Sequence, residues 1–368
     1  MRPALKSLLV TGGCGFIGSN FIRFLLKREE FNGRIINLDR LTYAGNPENL
    51  EDLDASTAER YTFVHGDVAD PELVARLMQA HDVDTVVHFA AESHVDRSIH
   101  SPGEFVRTNI EGTFRLLEAA RAAWRERRDV RFHQVSTDEV FGSLGAEGHF
   151  REDTPYDPHS PYSASKAAAD HLVRAYYHTY GLPVTLSNCS NNYGPFQFPE
   201  KLIPLMIHNL TRRHPLPVYG DGANVRDWLY VEDHCEAIWR ILTAPTVGTT
   251  WAVGGDAEFS NLEVVHRLCE IFDTLTPLEP GAKSTAGTPL DRHRDLITFV
   301  KDRPGHDQRY AIDSRRIQKE LNWRPRVDFI QGLERTVSWY MDHSGWVERI
   351  RSGAYRDWLQ RHYGDSGN

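Results

Sequence analysis

Residues 10–21 read VTGGCGFIGSNF. An apolar run, SLLVT, leads into this stretch and an amphipathic one, SNFIRFLLKRE, leads out of it, so the glycines stand where a strand becomes a helix. Gly13, Gly15 and Gly18 satisfy G-x-G-x-x-G, while Gly12, Gly15 and Gly18 recur every third residue. Glycine at such a place permits a tight turn and lets backbone N–H groups approach a pyrophosphate at the helix N-terminus. Asp39 closes the next apolar run, RIINLD, 21 residues beyond Gly18. A carboxylate there can accept from both ribose hydroxyls of an adenosine half and repels a 2′-phosphate, which favours NAD over NADP.

Outward from this turn the chain keeps alternating. The runs SLLVTG, RIINLD, YTFVHGDV, TVVHFAA, RFHQVS and VTLSNC read as strands. Between them SNFIRFLLKRE, PELVARLMQAH, GTFRLLEAARAAW and SKAAADHLVRAYYHTY carry apolar residues at helical spacing. Strands alternating with helices imply right-handed βαβ units, and near-continuous apolar strands imply a sheet covered on both faces. The expected fold is therefore α/β, a Rossmann-type doubly wound parallel sheet over residues 1–190, some later segments being able to rejoin the sheet. A smaller, irregular α/β part over 191–345 is expected to bind the substrate, followed by a C-terminal extension, 346–368. Pro and Gly punctuate NNYGPFQFPEKLIP and RRHPLPVYGDGANVRDW, and SRRIQKELNW and QGLERTVSWYMDH form a last helical pair.

Composition narrows the function. The chain has 368 residues, 40% hydrophobic, with a formal net charge of -9, which argues against a general nucleic-acid binder. The basic run RAAWRERRDVR, 121–131, reads as the solvated end of a helix. Cys14, Cys189, Cys235 and Cys269 are scattered without C-x-x-C, the pattern of reduced thiols in a cytoplasmic protein. No signal peptide is expected at the N-terminus, and no apolar run approaches a membrane span. No metal is expected: EDHCE, 232–236, reads as acids opening a helix, and the histidines at 81, 88 and 94 lack ligand spacing.

Two further stretches carry chemistry. Tyr162 and Lys166, in SPYSASKAAAD, stand one helical turn apart on one face. An ammonium beside a tyrosine favours phenolate, a competent base for a sugar or alcohol hydroxyl. In VSTDEVFG, 135–142, Thr137, Asp138 and Glu139 end the apolar run RFHQVS. Two carboxyls packed together in a partly desolvated place take opposite protonation states, one an acid and one a base. Asp67 and Val68 end the third strand and FAAES, 89–93, the fourth, where an acid can reach adenine and small side chains let a cofactor pass.

TGGCGFIG, Y-x-x-x-K and the strand pattern resemble the extended short-chain dehydrogenase/reductase family. STDEVFG, NCSNNYGPFQFPEKLIPL, RDWLYVEDH and DRPGHDQRYAID resemble its dTDP-glucose 4,6-dehydratases, over about residues 4–342. Cys14 stands where alanine is common and Phe141 where tyrosine is usual. The resemblance implies that NAD oxidises a sugar at C4, that water leaves across C5 and C6, and that hydride returns to C6. It assigns Tyr162 as base at the C4 hydroxyl, with Lys166 orienting the nicotinamide ribose. Thr137 then donates to the 4-ketone, Glu139 takes the C5 proton, and Asp138 protonates the departing C6 hydroxyl. It implies a cofactor shell of Gly12, Gly15, Phe16, Ile17, Gly18, Asp39, Leu41, Thr42 and Gly45. Asp67, Val68, Ala90, Ala91, Ser93, Thr108 and Cys189 complete that shell with Tyr162 and Lys166. For the sugar it implies Ser93, Thr137, Asn191, Glu200, Lys201 and Leu202. Towards the diphosphate and nucleoside it implies Pro217, Tyr219, Arg226, Asn261, Arg303 and His306.

The expected substrate is thus a nucleotide sugar, dTDP-glucose, with UDP-glucose as the alternative. A 4-epimerase or a decarboxylating sugar synthase would share the glycines and Y-x-x-x-K, but needs no proton relay to C6, so Asp138–Glu139 argues against both. A redox-sensing NAD-binding protein could dispense with the tyrosine, lysine and acids altogether. The resemblance also implies a homodimer that pairs helices around 103–126 and 162–180 into a four-helix bundle.

Overall fold

The structure, a computed structural model, describes residues 5–53, 57, 59–302 and 305–352. Its centre is a seven-stranded sheet. In chain order the strands are β1 (Ser7–Thr11), β2 (Arg34–Asp39), β3 (Tyr61–His65), β4 (Thr85–His88), β5 (Arg131–Thr137) and β6 (Val184–Cys189). The seventh strand, Thr249–Val253, arrives late and pairs with β6. The spatial order, with that strand first, is then β6-β5-β4-β1-β2-β3, every pairing parallel. The order reverses between β1 and β4, the place where open α/β sheets bind ligands beyond their carboxyl ends.

Both faces are covered, as the apolar strands require. On one face α1 (Phe16–Leu26) packs beside Val231–Thr243, through Phe21, Ile22, Leu25, Ile238 and Trp239. On the other lie α2 (Pro71–Ala80), α3 (Gly112–Trp124) and α4 (Pro161–Tyr180), with Leu116, Leu117, Trp124 and Val173 fully buried. Residues 231–253 therefore belong to the cofactor-binding layer although they lie beyond residue 190. Arg131 corrects the reading of the basic run as wholly solvated. It is fully buried, and its guanidinium donates to the carbonyls of Ala244 and Thr246, tying β5 to the turn that leads into the seventh strand.

The C-terminal part builds its own core. Strands β7 (Asn191–Tyr193), β8 (Leu216–Tyr219) and β9 (Val225–Tyr230) carry it with helices α5 (Leu202–Arg212), α7 (Asn261–Leu275) and α8 (Phe329–Asp342), while α6 (Val231–Thr243) between them packs on the central sheet. Tyr193, Met206, Leu268, Phe272 and Leu333 centre the apolar cluster. Helix α9 (Ser344–Ser352) buries Trp346, Val347 and Ile350 in that same cluster. The boundary expected at residue 346 is thus misplaced: the chain keeps packing through 352, because the indole and two aliphatic side chains face inward. The rest of the expected extension lies outside the described residues.

Candidate active site

The glycine turn is shaped for a close approach. Gly12 has φ +70°, and a Cβ on it would lie 2.7 Å from the Ala90 backbone. A Cβ on Gly18 would lie 2.3 Å from the Gly12 carbonyl oxygen, so α1 starts hard against the turn. Gly15 is the N-cap of α1 and offers no capping side chain, which leaves the first-turn N–H groups of the helix facing the cavity. Asp39 is buried at the end of β2; its carboxylate accepts from Cys14 N at 2.9 Å and Leu41 N at 2.8 Å. Burial raises the Asp39 carboxyl and those two N–H groups oppose the rise. A Cβ on Gly45 would stand 2.8 Å from Asp39 Oδ1, so glycine keeps that carboxylate reachable. Asp67 accepts from Ala69 N at 2.9 Å and pairs with Arg107 at 2.7 Å and Arg40 at 3.4 Å.

These groups line a cavity of about 310 Å³ at the carboxyl ends of the strands. Its wall holds Gly12, Gly15, Phe16, Ile17, Gly18, Asp39, Thr42, Gly45, Asp67, Val68, Ala90, Ala91, Ser93, Thr108 and Cys189. The bare turn, the uncapped helix end and the shielded acid fit an adenine dinucleotide. Leu41 is the exception: it adopts the left-handed conformation, φ 55°, and holds Asp39 from behind rather than lining the wall.

The same cavity is lined by Thr137, Asp138, Glu139, Tyr162 and Lys166. Fully buried β5 delivers Thr137, which caps a short helical turn by accepting from Glu139 N at 3.2 Å. Asp138 begins that turn and is 2% exposed. Its Oδ1 accepts from Thr137 Oγ1 at 3.3 Å, while Oδ2 is buried with no partner among the described residues. Burial, Glu139 and Asp227 together raise the Asp138 carboxyl well above its ordinary range, against the pull of Arg226. Pro161 and a Ser160–Ser163 capping box start α4, which puts Tyr162 and Lys166 in its first two turns.

Lys166 Nζ donates to the Val135 carbonyl at 2.8 Å, and burial lowers the ammonium while Asp170 supports it. Tyr162 is pushed well above the ordinary phenol value by burial, then by Glu139 and Cys189. In this arrangement burial favours the phenol form of Tyr162.

The expected substrate residues divide. Asn191 and Lys201 line the cavity; Asn191 Oδ1 is buried without a partner among the described residues, and Lys201 Nζ donates to Ser93 O at 3.2 Å. Glu200 sits behind them, 3.4 Å from His94. Leu202 does not line it, because it packs against the C-terminal core. Arg226 is buried beyond Asp138; it donates to Asp307 O at 2.9 Å and lies 4.3 Å over the Tyr310 ring. Pro217 and Tyr219 on β8, Asn261 opening α7, and His306 lie on elements outside the cavity wall, Tyr219 and His306 meeting edge to face at 6.4 Å. β8 pairs with Ile297–Val300, away from the central sheet. Arg303 lies outside the described residues.

Sequence reading missed Asp170, Tyr156 and Asn188, a buried polar group behind Lys166. The signal was the four-residue step from Lys166 to Asp170 on one helix. It also missed Arg40 and Arg107, which no motif marks. His88 is buried between Thr11, at 2.6 Å, and Thr113, at 3.1 Å, and burial lowers it to about 3. Among the described residues no group of three or more His, Cys, Asp or Glu is arranged to hold a metal, and no helix is long and apolar enough to cross a membrane.

Comparison with known proteins places this geometry. Residues 9–336 match the family described as GDP-mannose 4,6 dehydratase. The dTDP-glucose 4,6-dehydratase of Xanthomonas campestris pv. campestris (strain B100) is 53% identical over 357 residues, 96% of this chain and 98% of that protein. The crystal structure of the Streptomyces venezuelae dTDP-glucose 4,6-dehydratase with NAD and dTDP bound is 44% identical, with a TM-score of 0.81 over 94% of this chain and 99% of that one. The Bacillus anthracis (strain Ames) dTDP-glucose 4,6-dehydratase in complex with NAD is 42% identical, also with a TM-score of 0.81, over 94% and 99% of the two chains.

Proposed function

The chain belongs to the GDP-mannose 4,6-dehydratase family and groups with its dTDP-glucose 4,6-dehydratases, and from that premise we propose how its residues work. The reaction is the dehydration of dTDP-glucose to dTDP-4-keto-6-deoxyglucose by an NAD-dependent hydro-lyase. When bound, NAD takes two electrons from the sugar at C4 and gives them back at C6.

The chain supplies the proton chemistry. Gly12, Gly15 and Gly18 open space for the pyrophosphate, and Asp39 accepts from the adenosine ribose. Tyr162 Oη removes the proton of the C4 hydroxyl as C4 is oxidised, so the site must first favour phenolate. A cationic ring brought into the cavity, with Lys166, opposes the burial that holds Tyr162 neutral. Thr137 Oγ1 turns its single proton from Asp138 Oδ1 to the new C4 carbonyl oxygen, which acidifies the C5 proton. Glu139, as carboxylate, takes that proton, and Asp138, as carboxylic acid, gives its own to the C6 hydroxyl. The C6–O bond breaks, water leaves, and a C5–C6 double bond conjugated to the ketone remains. After reduction at C6, Glu139 returns a proton to C5, and Tyr162 and Asp138 are reset from solvent.

The observation that carries this reading is the pair Asp138–Glu139 beside Tyr162, with Asp138 buried and one carboxyl oxygen unpartnered among the described residues. A 4-epimerase has no use for an acid aimed at C6. The likeness assigns Arg226, Asn261, His306, Pro217 and Tyr219 to the diphosphate and base, and an arginine suits a diphosphate through its planar fork. The partner chemistry is accordingly a dTDP-sugar, and the homodimer through residues 103–126 and 162–180 and a cytoplasmic location belong to the same proposal.

The test is turnover of dTDP-glucose with NAD in deuterated water, followed by mass spectrometry of the sugar nucleotide. Loss of water with one deuterium gained at C5 is the expected result. An epimerised sugar, or no change in either dTDP-glucose or UDP-glucose, would overturn the reading.

A further inference from the structure

Lys166 is 5% exposed, and its ammonium has one hydrogen bond among the described residues, to a neutral carbonyl. A buried cation held only by a neutral group tends to lose its proton. One turn further along α4 lies Asp170, 0% exposed. Three donors converge on its Oδ2: Ser136 Oγ at 2.7 Å, Tyr156 Oη at 3.0 Å and Asn188 Nδ2 at 3.4 Å. Arg174 in turn donates to Tyr156 Oη at 2.7 Å. Asp170 Oδ1 is buried and has no partner among the described residues.

Burial raises the Asp170 carboxyl, and Lys166 and the donors Ser136 and Tyr156 oppose that rise, so the ionised form is supported from both sides of the helix turn. The other groups facing the ammonium are neutral near pH 7. His88 from β4 is held to about 3, and Cys189 from β6 is pushed up to about 12. Val135 and Ser136 of β5 do not titrate, and burial favours the phenol form of Tyr162 on the same helix.

We propose that Asp170 is a positioning residue, the buried counter-charge that keeps Lys166 an ammonium at the working site, with Ser136, Tyr156 and Asn188 holding it ionised. The inference rests on the role given above to Lys166. It assigns the second half of a Y-x-x-x-K-x-x-x-D pattern to the support of the first.

The test is a direct titration of Lys166 in the full chain with isotope-labelled lysine, its resonance assigned with Lys166→Arg. In Asp170→Asn the Lys166 midpoint should fall by about one pH unit or more. The alkaline limb of C4 oxidation should move down with it, and Asp170→Glu should bring both back. Tyr156→Phe, which removes one donor from Asp170, should give a smaller shift of the same sign, and it decides the matter if Asp170→Asn does not fold. An unmoved Lys166 midpoint in the variants that fold would overturn the inference. The titration is read without substrate, so a normal shift in a protein that dehydrates no sugar would sink the proposed function and leave Asp170's role standing.

Discussion

Thr137 Oγ1 donates to Asp138 Oδ1 at 3.3 Å, and the same hydroxyl accepts from Glu139 N at 3.2 Å. One threonine thus touches the Asp138 carboxyl and fixes the backbone that carries Glu139. The oxygen it leaves alone, Asp138 Oδ2, is the one free to hand a proton to a leaving group.

Asp138→Asn removes the acid and keeps the shape. Elimination should slow by roughly 10²–10⁴-fold, the usual worth of a positioned general acid. C4 oxidation should survive, so reduced nicotinamide should accumulate on the protein and C5 should still exchange with deuterated solvent. Retention of full dehydratase turnover would remove Asp138 from the mechanism.

The same substitution has a stability signature. Asp138 is raised on folding, so the folded state holds a proton that the unfolded chain releases. That contribution is greatest at acid pH and is lost as pH rises from the ordinary carboxylate range through the folded value. The amide that replaces the carboxyl does not titrate and carries no such penalty. Melting temperatures should therefore converge in acid and favour Asp138→Asn at alkaline pH; a variant destabilised most at alkaline pH would contradict the assignment.

Glu139→Gln separates the two acids. Without a base at C5 neither exchange nor water loss should occur, whereas C4 oxidation should persist. Mass spectrometry of recovered dTDP-glucose after incubation in deuterated water reads this directly, and exchange equal to that of Asp138→Asn would assign the base elsewhere.

Much of this was legible in the chain because the fold repeats local rules. VTGGCGFIG gives the turn, RIINLD the acid after it, and SPYSASK a capped helix start, each within a dozen residues. The rest depends on long-range pairing. Nothing local says that Thr249–Val253 joins β6, or that Arg131 leaves a basic run to cap carbonyls over 110 residues away in sequence. The nucleoside-side residues were named by likeness, not by spacing, since an extended ligand touches elements the sequence does not bring together. Y-x-x-x-K fixes the proximity of Tyr162 and Lys166, while burial, which no local motif encodes, raises the Tyr162 hydroxyl.

Gly12→Ala tests the turn. At φ +70° a side chain is strained, and its Cβ would sit 2.7 Å from the Ala90 backbone, which has no flexible end to move. The turn should shift at a cost of about 1–3 kcal/mol. NAD affinity measured by calorimetry should fall at least tenfold while circular dichroism keeps its α/β shape. Wild-type affinity would mean that the backbone there does not approach the cofactor.

Trp346→Ala tests whether residues beyond 345 belong to the fold. The indole is 5% exposed, edge-on to Trp339 at 5.3 Å and Phe196 at 6.0 Å, and its Nε1 donates to Asn49 Oδ1 at 3.0 Å. Asn49 Nδ2 reaches on to the Cys14 carbonyl at 2.9 Å, inside the glycine turn, and Arg349 pairs with Glu48 at 2.8 Å. Helix α9 therefore braces the loop that follows Gly45 against the C-terminal core. Removing a buried tryptophan costs about 3–5 kcal/mol. Trp346→Phe keeps most of the volume and loses the Asn49 bond, about 1 kcal/mol. Denaturant unfolding should rank the proteins wild type, Trp346→Phe, Trp346→Ala, with NAD affinity falling in the same order because Asn49 and the glycine turn loosen together. A Trp346→Ala protein as stable as wild type would return residues 346–352 to the status of an appendage.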